Sequence, residues 1–149
     1  MKKLIVALCL FSISSAFAQE EVKKVEVQNP AMDISASIPK DKIELYNQSF
    51  SKFVSALKTA DKQAVGSHIS EKVKSLVDEN MIQKLSGGIS FERKTEVYQS
   101  GYQKLLDNQT YPAIQYKYAD DKNDPPRDLI TVIFENDGKI LGVKPNYSK

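Results

Sequence analysis

The spacing of apolar residues changes period near the middle of the chain. From Tyr46 onward, Tyr46, Phe50, Phe53, Val54 and Leu57 recur at i, i+4, i+7, i+8 and i+11, which predicts one long amphipathic helix. Ile43 extends the same face, and Lys52 and Lys58 point elsewhere. Pro39-Lys40-Asp41 marks the start of that helix, because proline suits the first turn and an acidic residue there complements the helix dipole. Asp61 is placed to cap a second helix carrying Val65 and Ile69, and Ser70 a third carrying Val73, Leu76 and Val77. Asp78 begins a fourth with Met81, Ile82 and Leu85, stopped at Gly87-Gly88.

Beyond Gly88 the period falls to two. Ile114, Tyr116 and Tyr118 alternate with Ala113, Gln115 and Lys117, which predicts a half-buried strand. Leu129 to Phe134 is apolar on both faces and reads as a central strand covered on two sides. Asn136-Asp137-Gly138 supplies positive-φ residues for a tight hairpin, and Ile140 to Val143 returns as its partner. The segment from Thr95 to Leu106 fits either class. Tyr98, Tyr102, Leu105 and Leu106 match a helical face, whereas Thr95, Val97 and the tyrosines favour a strand. Gly101 costs about 1 kcal/mol inside a helix and suits a bulge in a strand. Helices followed by strands give an α+β class, with about four antiparallel strands.

The first eighteen residues change the reading of the composition. Lys2 and Lys3, an apolar run from Leu4 to about Ile13, and Ala16-Phe17-Ala18 form an export signal with cleavage expected before Gln19. That run is too short to span a bilayer, which takes about 20 residues. Cys9 follows Leu8, where a lipidation motif needs a small residue, so no stable membrane anchor is expected. The precursor has 21 basic and 19 acidic residues, and removing Lys2 and Lys3 leaves the mature chain formally neutral. Neutrality argues against nucleic acid as a partner. Cys9 is the only cysteine, so the mature chain must be held by its core without disulfides. The expected organisation is a signal at 1–18, a flexible leader at 19–40 and a single domain at 41–147. The expected location is periplasmic or secreted.

Little in the chain points to catalysis. His68 is the only histidine and the mature chain has no thiol, so a zinc site lacks ligands, and no metal or cofactor is expected. His68 reads as a surface or boundary residue. Serine-nucleophile and phosphate-loop motifs are missing. Asp120, Asp121 and Asp124 lack the alternating spacing of a calcium loop and read as a solvated loop before Pro125-Pro126.

The final hairpin carries a family resemblance. Phe134, Asp137, Gly138, Lys139, Ile140 and Gly142, together with the stretch from Phe53 to Val65, resemble the nuclear-transport-factor-2-like (cystatin-like) cone, and small bacterial domains within it. The resemblance implies N-terminal helices packed on a curved antiparallel sheet, often with a pocket in the concavity, and it turns the Thr95 to Lys104 segment toward a strand. It implies no single activity. On such a sheet Tyr98, Tyr102, Tyr116 and Tyr118, with Tyr46 on the helix, could converge as ligand-binding residues; the alternative is that the rings fill the core. The expected function is a non-catalytic exported binding or interaction module for a small apolar ligand or a protein partner. A cone-pocket isomerase or hydrolase and a structural protein dimerising through the sheet are the alternatives.

Overall fold

The computed structural model describes residues 31–147; the export signal expected at 1–18 and residues 19–30 fall outside that range. The long helix, α1 (Lys40–Lys58), buries Tyr46, Phe50, Phe53, Ala56 and Leu57. Val54, expected on the same face, is only half-buried. Helix α2 (Lys62–Ser67) starts where Asp61 accepts the amide hydrogens of Gln63 and Ala64, and α3 (Glu79–Gly88) where Asp78 accepts that of Met81. Each cap satisfies amide groups that the first turn leaves without a partner.

The helix expected after Ser70 is a correction: only one 3-10 turn forms there, Lys74–Leu76. Ser70 is fully buried, and its hydroxyl donates to Glu135 while accepting from the Lys72 amide at 3.2 Å. The backbone of the same segment is held by strand pairing. Ser70 N–H donates to Ile140 and Ile140 N–H to His68, at 2.8 and 3.0 Å. Val77 is buried, whereas Leu76 is 67% exposed and contributes nothing to the core.

Four strands form one open antiparallel sheet in chain order: β1 (Thr95–Lys104), β2 (Thr110–Tyr118), β3 (Asp128–Phe134) and β4 (Ile140–Tyr147). The ambiguous segment is therefore a strand. Its irregularity lies between Val97 and Gln99 rather than at Gly101. Gly101 has a different reason to be glycine. A Cβ there would lie 2.1 Å from the Asp33 carbonyl oxygen, because the segment ahead of α1 crosses the strand at that point. Asp33 and Tyr102 exchange both backbone hydrogen bonds, at 2.7 and 2.9 Å, and Ile38 is buried. The domain thus begins before Asp41, and the last residues assigned to the leader belong to it.

The core lies between α1 and the inner sheet face. Tyr46 stacks on Phe134 with ring centroids 4.7 Å apart, and Phe50 on Tyr116 at 4.4 Å. Each such pair contributes about 0.5–1.5 kcal/mol beyond its buried area. In β3, Ile130, Val132 and Phe134 are buried, whereas Leu129, Thr131 and Ile133 are half-buried. The strand is fully covered on one side, not two. The hairpin after β3 also differs in detail from expectation. Of its three loop residues only Gly138 has positive φ, at 92°, and Glu135 N–H reaches the Lys139 carbonyl at 2.8 Å. A three-residue loop with one left-handed position requires one permissive residue, and glycine serves.

Candidate functional site

The five tyrosines do not share the groove described below. Tyr46 and Tyr116 are stacked inside the core, and the Tyr116 hydroxyl donates to Asn47 Oδ1 at 2.9 Å. Burial pushes the Tyr116 hydroxyl pKa well up and raises that of Tyr46, so both stay neutral. Tyr118 is buried too; its hydroxyl accepts from the Ser90 amide at 2.9 Å, and the Arg93 guanidinium lies 3.9 Å from its ring centroid. Tyr102 is half-buried against the core edge. Tyr98 sits at the bulge of β1, 37% exposed. Of the five, Tyr116 alone lines the groove described next.

That groove, of about 400 Å³, runs between α1, the segment following α3 and the first residues of β1. Two stripes of α1 form one wall. Asn47, Ser51 and Ser55 stand four residues apart, and Phe50 and Val54 make the apolar stripe beside them. Ile89, Phe91 and Val97 form the opposite apolar wall. This explains why Val54 is only half-buried: it packs against the core on one side and borders the groove on the other. Asn47 uses its carbonyl oxygen on Tyr116, so what its side chain has to offer a ligand is its N–H donors.

The charges around the groove are largely matched. Arg93 donates twice to Asp120, from Nε at 2.9 Å and from Nη2 at 2.8 Å, and reaches Asp128 at 3.3 Å. Arg93 thereby holds the Asp120 carboxyl below its ordinary range. Glu96 pairs with Lys117 at 3.2 Å. Lys94, exposed at the rim, has no carboxylate within ion-pair distance among the described residues.

The aspartates near the turn after β2 are occupied structurally. Asp121 is buried and accepts from the amides of Asn123 and Arg127, at 3.0 and 2.7 Å, so it organises the loop. Hydrogen bonds from Asn123 hold its carboxyl far below the usual range. Asp120 is paired with Arg93. Among the described residues, no three His, Cys, Asp or Glu side chains gather as metal ligands. His68 is half-buried; burial, then the charges of Lys139 and Lys52, lower its pKa.

The sequence reading missed the groove because its walls come from residues 47–55 and 89–97. The missed signal was the polar stripe Asn47, Ser51 and Ser55 beside an otherwise apolar helix face. No known family matches the chain, and no curated protein or solved structure is similar to it, so the chemistry of the groove rests on its own residues.

Proposed function

We propose that this protein is an exported, non-catalytic binding module whose working surface is the groove between α1 and the start of β1. The observation that carries this reading is the lining: apolar walls from Phe50, Val54, Ile89, Phe91 and Val97, with a few hydrogen-bonding groups at Asn47 and the neighbouring serines. Its volume of about 400 Å³ falls in the range of small-molecule sites, roughly 300–1,000 Å³. The carboxylate that lines the groove, Glu96, is held in an ion pair with Lys117 at 3.2 Å, which supports binding over turnover. Export rests on the Lys2-Lys3 start and Ala16-Phe17-Ala18, and an intact mass beginning at Gln19 would agree with it, while a retained Met1 would not.

The groove is tested with a neutral aromatic probe, 1-naphthol, followed by amide chemical shifts. Saturable shifts confined to Ser51, Ser90 and Val97 are expected. Ser51 is exposed on α1, so Ser51→Trp should fill the groove and abolish those shifts with stability changed by no more than about 0.5 kcal/mol. Shifts that persist in the variant, or that centre on Gln115 and Ile133 of the outer sheet face, would place binding elsewhere.

A further inference from the structure

The charge pattern at the rim narrows what the groove takes, and this step rests on the binding role proposed above. We infer that its ligand is a small amphipathic anion, with an apolar body between the two walls and a carboxylate or similar group at Lys94. The argument is one of accounting. Arg93 is neutralised by Asp120 and Asp128 and is covered on one side by the Tyr118 ring, so it has little charge left to offer a ligand. Glu96 is matched by Lys117. Lys94 is the lining cation left without a carboxylate among the described residues, and it stands between Arg93 and Thr95 where the segment after α3 becomes β1.

The uncharged lining points the same way. Asn47 commits its carbonyl oxygen to Tyr116 and presents N–H donors. Ser55 gives its hydroxyl hydrogen to the Ser51 carbonyl at 3.0 Å, so it adds no donor to those of Asn47. The groove therefore offers a cation and amide donors, which suit a group that accepts hydrogen bonds and carries negative charge. Ile89, Phe91, Val54 and Val97 suit a short hydrocarbon or aromatic body. The groove has room for a free small molecule, which is the source we assign.

Two probes of one shape separate the charge from the body: 4-phenylbutyrate and 4-phenylbutan-1-ol, titrated by calorimetry at low salt. The carboxylate should bind about five- to tenfold more tightly than the alcohol. Lys94→Gln should remove that preference and leave the alcohol unchanged. Since Lys94 is exposed, the substitution should not disturb folding. Equal affinities for the two probes in the unaltered protein, or a preference that survives in Lys94→Gln, would overturn the inference while leaving the groove a binding site. Failure of both probes to bind would overturn the groove reading and this inference with it.

Discussion

The two hairpins of the sheet use the same turn in different surroundings. In the first, Leu105 N–H reaches the Gln109 carbonyl at 3.0 Å, Asn108 takes φ 61°, and Asp107 accepts the Gln109 amide at 2.9 Å. In the last, Glu135, Lys139, Gly138 and Asp137 repeat each of those roles, with Asp137 accepting the Lys139 amide at 2.9 Å. The local chemistry is the same: an aspartate that bonds two residues on, then a left-handed residue. The surroundings decide how much the left-handed residue matters. Asn108 is exposed, and its neighbour Leu106 is 82% exposed. Gly138 is buried under α1, where an added Cβ would stand 2.7 Å from Ser49 Oγ and 3.3 Å from Leu45 Cγ. One turn has only a conformation to satisfy; the other has a conformation and a neighbour.

The largest effect should come from the packed turn. Gly138→Val adds strain at positive φ to a collision with α1, and should cost about 2–5 kcal/mol by denaturant unfolding. A loss no greater than that of the open turn's variant would mean that α1 exerts no constraint there. Next comes Asn108→Ala, which places a less tolerant residue in the left-handed region with open space around it. About 1 kcal/mol is expected, and a loss matching that of Gly138→Val would erase the distinction between the turns.

The smallest effect is one of pH. Asp107 also accepts from the Tyr111 hydroxyl at 2.6 Å, and that bond, then the Gln109 amide, holds its carboxyl below its ordinary 3.8. A lowered folded pKa adds stability that is present above the unfolded value and is lost as pH falls through the folded one. The contribution should therefore be intact at pH 5 and decline below about 4. A carboxyl titration by NMR that put Asp107 at or above 3.8 would remove this feature of the first turn.

The same pair of turns shows how far the sequence could be read. Asn-Asp-Gly announces a turn through glycine, whereas Leu106-Asp107-Asn108 carries the same geometry with asparagine, a weaker signal at the end of an ambiguous segment. Asp61 and Asp78 were legible as caps because a cap is a local bond. Ser70 looks the same in sequence, yet its hydroxyl bonds to Glu135, sixty-five positions away, and pairing with Ile140 replaces the helix expected there. Gly101 could be recognised as special but not explained, since its reason is Asp33. The tyrosines were correctly placed on strands, but no periodicity tells that Tyr116 would spend its hydroxyl on Asn47 and Tyr118 on Ser90.

The crossing at Gly101 bears on solubility. An open strand edge offers unpaired amides and carbonyls on which another chain can build, and Ile34, Val97 and Tyr98 add exposed apolar surface beside β1. Asp33 occupies that edge at Tyr102, and glycine at 101 lets it lie close enough to do so. A side chain at position 101 would collide with the Asp33 backbone and break its pairing with Tyr102. The same residue that admits the cover thus keeps Tyr102 of that edge paired.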